Sequence, residues 1–170
     1  NKKVYIIGDS HMATLAFDLK NRLINKDYQF ITSYLGACLY FPGFNRVDKK
    51  TKKIAPKCND DYFSQLEKTL IENKNSIFIF GGQFPAHLSG NFIYEKDMKL
   101  KYAQNNQLKN IQSSFKISLN KLTINNKVIL IYPIPEVDTH VPRKLLNLLP
   151  KKINDAKNYL EKHLVLKNYI

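Results

Sequence analysis

Ser10 sits at a point where a chain can lift a hydroxyl clear of its surroundings. It follows the apolar run Val4-Tyr5-Ile6-Ile7 and the breaker Gly8-Asp9, and it precedes a stretch with helical spacing. A serine between a strand and a helix presents its Oγ above the sheet edge, with the helix amides and the positive end of the helix dipole beneath it. Its own backbone N–H can donate to a developing oxyanion. Gly36 lacks a Cβ and can bring a second amide close, and Gln83 offers a side-chain amide. A hydroxyl and three donors are the parts needed to attack an acyl carbonyl and hold the tetrahedral intermediate, so the chemistry they suggest is acyl transfer. Taken alone, Ser10 also reads as a helix N-cap, and Asp9 as a turn-former.

Such a hydroxyl needs a base. The histidines are His11, His87, His140 and His163. His11 adjoins Ser10 at the helix start and is expected to point elsewhere. His87, in Phe84-Pro85-Ala86-His87-Leu88, reads as a loop residue bonded to backbone, and His163 as a surface helix residue. His140 follows the end of a strand and stands as the fallback base. Glu136 and Arg143, nearby, could touch substrate but read first as a salt bridge. The cysteines and histidines show no metal-ligand spacing, so neither a metal nor a cofactor is expected.

The elements that must position these residues follow from hydrophobic periodicity. Val4 to Ile7 suits a buried parallel strand. Ala13, Leu15, Ala16, Leu19 and Leu23 recur at helical spacing, and this helix runs out near Asn25. A second strand spans Gln29 to Tyr34 and ends at Gly36. An irregular loop follows, and Asp60 is expected to cap a helix carrying Phe63, Leu66, Leu70 and Ile71. The third strand is Ser76 to Phe80, stopped by Gly81-Gly82. Residues 84 to 101 read as an excursion. Leu108, Ile111, Phe115, Leu119 and Leu122 mark another helix, and Lys127 to Tyr132 a fourth strand ended by Pro133-Ile134-Pro135. A loop leads into Leu145 to Leu149, and a last helix spans about Asp155 to Leu164. The alternation predicts an α/β fold, a three-layer sandwich with helices on both faces of a parallel sheet. Ligands bind such sheets at the carboxyl ends of the strands, which is where Ser10, Gly36 and Gln83 fall.

Composition narrows the class. The chain has 170 residues, 44% apolar and 24% charged, enough for one domain with a buried core. No run approaches the roughly 20 apolar residues of a membrane span. Lys plus Arg number 27 against 14 Asp plus Glu, a net charge of +13, and only residues 22, 46 and 143 are Arg. A lysine-dominated surface reads as ordinary solvation, or as attraction to an anionic lipid surface or charged glycan. Nucleic-acid binding is not expected, since readers of bases and phosphates lean on Arg and no basic-aromatic motif occurs. Cys38 and Cys58 lie 20 residues apart. They are either two reduced thiols or a disulfide in an oxidising compartment, the latter worth about 3 kcal/mol.

Val4-Tyr5-Ile6-Ile7-Gly8-Asp9-Ser10-His11 resembles the first block of the SGNH (GDSL-like) hydrolase superfamily. The Gly36-Ala37-Cys38 turn with a distant Cys58, and Tyr132-Pro133-Ile134-Pro135-Glu136-Val137 followed by Val141-Pro142, are similar to one branch of it: the periplasmic SGNH domain fused to acyltransferase-3 membrane proteins, which acylate cell-envelope glycans such as O-antigen sugars. The resemblance covers most of the chain. It implies a flavodoxin-like SGNH fold with five strands, four of them visible here. It makes Ser10 the nucleophile, and Ser10, Gly36 and Gln83 the oxyanion hole. Gly81-Gly82-Gln83 departs from the superfamily's Gly-x-Asn at this last position. Cys38 and Cys58 become a disulfide pair. It also implies an acyl donor, a glycan acceptor, and a membrane-embedded acyltransferase domain in the same polypeptide, with this domain periplasmic and tethered to the inner membrane. The superfamily's Asp-x-x-His, which supplies the base, is missing. The expectation is therefore a single SGNH domain over 1–170, incomplete at its C-terminus and part of a longer chain. The rival readings are a glycan-docking domain that has lost its base and, supported by charge alone, a cytosolic nucleic-acid-associated protein.

Overall fold

The computed structural model describes residues 2–88, 92–96 and 104–132. The chain divides at Pro133 into two units, Asn1–Pro133 and Ile134–Ile170. All described residues belong to the first. Pro135, Glu136, His140, Arg143, Leu145 to Leu149, His163 and the last expected helix lie outside the described residues.

Strand β1 (Lys2–Gly8) is the centre of the sheet. It pairs in parallel with β2 (Tyr28–Tyr34) on one side and β4 (Ile77–Gly81) on the other, and β6 (Lys127–Leu130) joins beyond β4, giving the order β2-β1-β4-β6. Helices cover both faces, which is why β1 and β4 are unbroken apolar runs. Successive side chains alternate between those faces. Val4, Ile6 and Ile79 pack on Met12 and Ala16 of α1 (Ser10–Leu23). Tyr5, Ile7, Phe78 and Phe80 pack on Phe63 and Leu70 of α2 (Asp60–Glu72) and Leu122 of α4 (Gln104–Thr123). The result is the expected three-layer α/β/α sandwich. Among the described residues its sheet has four strands.

Two segments that read as irregular contain structure of their own. The loop between the cysteines holds β3 (Asn45–Val47), and residues 84 to 101 hold the short helix α3 (Phe84–Leu88) and β5 (Ile93–Glu95). β3 and β5 form an antiparallel ribbon in which Arg46 faces Tyr94. A cluster of Leu39, Phe41, Phe44, Tyr94 and Ile111 packs against it. Cys38 and Cys58 form a disulfide, with Cα atoms 5.7 Å apart. The cap of α2 is Asn59 rather than Asp60: its side chain accepts from Tyr62 N–H at 2.9 Å. Asp60 begins the helix, where a negative charge suits the dipole, and its carboxylate accepts from Gly43 N–H at 2.8 Å.

Candidate active site

Register decides what meets at the rim of the sheet. Gly8 pairs with Tyr34 on β2 and with Gly81 on β4, so three strands end level. Two residues beyond each of these positions come Gly36, Ser10 and Gln83. Leu35 N–H donates to Gly8 C=O at 3.0 Å, carrying the ladder one residue further toward Gly36. Ser10 is the first residue of α1 and is exposed.

Asp9 organises this rim, and the sequence alone does not disclose that. It is 2% exposed. One carboxylate oxygen, Oδ1, accepts from His11 N–H at 2.9 Å, and the other, Oδ2, accepts from Gln83 N–H at 2.8 Å. The first contact caps α1, so the N-cap is Asp9 and Ser10 is released from that role. The second ties the end of β4 to the end of β1. Burial pushes the Asp9 carboxyl up. The His87 side chain, the Gln83 and His11 N–H groups and the nearby His11 ring push it further down, to about 2.

His87 is a correction to the sequence reading. It is no loop residue bonded to backbone but lies on α3, 3% exposed, among side chains. Its Nε2 is 3.5 Å from Asp9 Oδ2, its Nδ1 meets the Tyr94 hydroxyl, and its ring stacks on Phe92 at 4.4 Å between centroids. Nε2 faces the carboxylate and Nδ1 the phenol oxygen. Both ring nitrogens are thereby committed. His11 does not point elsewhere: its Nδ1 turns back to within 3.3 Å of Asp9 Oδ1.

The glycines have different reasons. Gly8 has φ +151°, and a Cβ there would lie 2.0 Å from the Gly81 carbonyl oxygen. Gly82 has φ +142°, and a Cβ there would lie 2.4 Å from Leu39 and 2.8 Å from Asp9 Cγ. These two let the β1 and β4 ends close around the Asp9 carboxylate. Gly36 differs from expectation, because a Cβ at this position would meet nothing within 4 Å. The left-handed residue of its turn is Ala37, at φ 53°. The turn closes through Cys38 N–H to Leu35 C=O at 3.2 Å, leaving Gly36 and Ala37 as its central residues. A positive φ at the third residue of such a turn normally calls for glycine. Ala37 is held there by the adjacent disulfide and by Arg46 Nη1, which donates to its carbonyl at 2.6 Å.

The rim therefore carries an exposed serine at a helix N-terminus, a turn whose central residues are Gly36 and Ala37, and Gln83, whose backbone N–H donates to the buried Asp9 carboxylate. Among the described residues no group of three or more His, Cys, Asp or Glu could hold a metal ion. None of their helices is long and apolar enough to cross a membrane.

A parallel sheet with Gly-Asp-Ser at the end of its central strand defines an SGNH-type α/β domain. The chain belongs to the family described as SGNH domain (fused to AT3 domains), whose model matches residues 1–166. It is similar in fold to a solved structure, the lipopolysaccharide acetyltransferase periplasmic domain of Salmonella ser. Paratyphi A, with a TM-score of 0.57 and 15% identity. That match covers 95% of this chain and 62% of the other, so the chain spans less than two thirds of its neighbour. No curated protein matches it.

Proposed function

We propose that this domain is an O-acyltransferase or esterase acting on cell-envelope glycans, with acetyl as the simplest acyl group, through a covalent ester on Ser10. The observation that most supports this is the level ending of β1, β2 and β4, beyond which Ser10, Gly36 and Gln83 each follow by two residues. A base takes the hydroxyl proton as Oγ attacks the acyl carbonyl carbon. The N–H groups of Ser10 and Gly36 and the Gln83 amide hold the oxyanion. Collapse breaks the bond to the leaving group, which departs with the proton. A sugar hydroxyl then gives its proton to the base as it attacks the ester carbonyl; the acyl–Oγ bond breaks and the base returns the proton to the Ser10 oxygen, while water in place of the sugar makes the domain an esterase.

Neither Asp9 nor His87 suits the role of base. The first is a poor one with its carboxyl at about 2, and the second has both ring nitrogens occupied. We assign the base to His140 or to an Asp-x-x-His elsewhere in the protein. A membrane-embedded acyltransferase domain in the same polypeptide would supply the acyl donor, with this domain in the periplasm and tethered to the inner membrane. The disulfide suits an oxidising compartment, and the lysine-rich surface suits anionic lipids and glycans.

A second reading is a docking domain for glycans in which Ser10 does no chemistry. In the full-length protein, Ser10→Ala is expected to lower p-nitrophenyl acetate hydrolysis and glycan acylation about 1,000-fold or more. It should also abolish the acyl-serine adduct seen by intact mass. Turnover untouched by Ser10→Ala would remove the catalytic reading.

A further inference from the structure

Two loops must keep their spacing if Ser10 and the Gly36 amide are to meet one carbonyl oxygen. The sheet sets the strands, but the loops beyond them need their own restraint. The β3–β5 ribbon reaches both. Arg46 and Tyr94 face each other across it. Tyr94 runs to one loop, through its hydroxyl to His87 Nδ1 and from His87 Nε2 to Asp9, the residue next to Ser10. Arg46 runs to the other, through Nη1 to the carbonyl of Ala37, the residue next to Gly36. The two arms also touch, since the Arg46 guanidinium lies 5.5 Å over the Phe92 ring and Phe92 stacks on His87. The ribbon itself is fixed: Arg46 N–H donates to Cys58 C=O and Ala55 N–H to Arg46 C=O, both at 2.8 Å, and Cys58 is bonded to Cys38.

We propose that Arg46 is a positioning residue for acyl transfer. Its grip on the Ala37 carbonyl holds the Leu35–Cys38 turn in the conformation that aims the Gly36 N–H at the oxyanion beside Ser10. The proposal rests on the catalytic reading given above. Ala37 gives it a physical basis. Alanine resists a positive φ, so without a hold on its carbonyl the Gly36–Ala37 peptide turns over and the turn that carries the Gly36 N–H loosens. Arginine suits the task because a planar guanidinium can lie on Phe92 and donate in a fixed direction, and a lysine ammonium can do neither as well.

The test uses the full-length protein and a Ser10-dependent acyl-transfer assay. Arg46→Gln is expected to lower kcat roughly 10- to 100-fold, with KM for the acyl donor changed by less than about twofold, because a misdirected donor is felt in the transition state. Adding Ala37→Gly, which accepts positive φ without help, should restore roughly a fifth or more of the lost turnover. A purely structural role for Arg46 would move the melting temperature and leave kcat per folded molecule unchanged. That outcome in Arg46→Gln, or in Arg46→Lys should the glutamine variant not fold, overturns the proposal alone. Turnover that survives Ser10→Ala overturns the catalytic reading and the proposal with it.

Discussion

A buried carboxylate with a donor on each oxygen is a demanding arrangement, and Asp9 is the residue where this protein would first register a change. Asparagine keeps one acceptor but turns an NH2 toward either the His11 or the Gln83 backbone N–H. Asp9→Asn is therefore expected to destabilise the fold by about 2–4 kcal/mol in urea titration. The acid response follows from the same contacts. The Asp9 pKa is about 2 in the folded protein against 3.8 for an unperturbed carboxyl. Below the higher value the unfolded chain binds the extra proton, so stability from this group is complete above about pH 5 and lost as pH falls toward 2, some 2 kcal/mol in all. Stability curves at pH 6 and pH 2.5 should show that loss in the native protein and a smaller one in Asp9→Asn. Little of this was legible in the residues themselves. Gly-Asp-Ser marks a turn at a strand end, but the donors from Gln83 and His87 come from distant positions that only the closed sheet brings near.

At the scale of elements, the readable parts are those whose pattern is long enough to repeat. β1, β4 and β6 announce themselves as apolar runs, β2 by its aromatic and β-branched residues, and α1, α2 and α4 as stripes at helical spacing. β3 and β5 have three residues each and α3 has five, too few for a period to show. Their stability comes from the Leu39, Phe41, Tyr94 cluster and from the disulfide, which are tertiary facts. The approach of β4 to the β1 loop depends on glycine in a way that can be checked. Gly82→Ala would force a Cβ against Leu39 and Asp9 at a φ that alanine resists. It is expected to cost about 2–4 kcal/mol by thermal or urea unfolding.

At the scale of the whole molecule, the disulfide closes the long connection between β2 and α2 that contains β3. Replacing Cys38 and Cys58 together by Ala removes about 3 kcal/mol from the loop-closure term and should lower the melting temperature by roughly 6–12 °C. Calorimetry of native and doubly substituted protein under non-reducing conditions measures it, and an unchanged transition would mean the ribbon holds without the bond. The strand order has a consequence for synthesis. Within this domain β1 is made well before β4, its second neighbour in the sheet, which begins only at Ile77. Until β4 is made, one edge of the nascent β1–β2 pair keeps its backbone N–H and C=O groups unpaired, and Tyr5 and Ile7 lack the Phe78 and Phe80 side chains they pack with. A holding chaperone would protect the growing chain from misassociation during that interval.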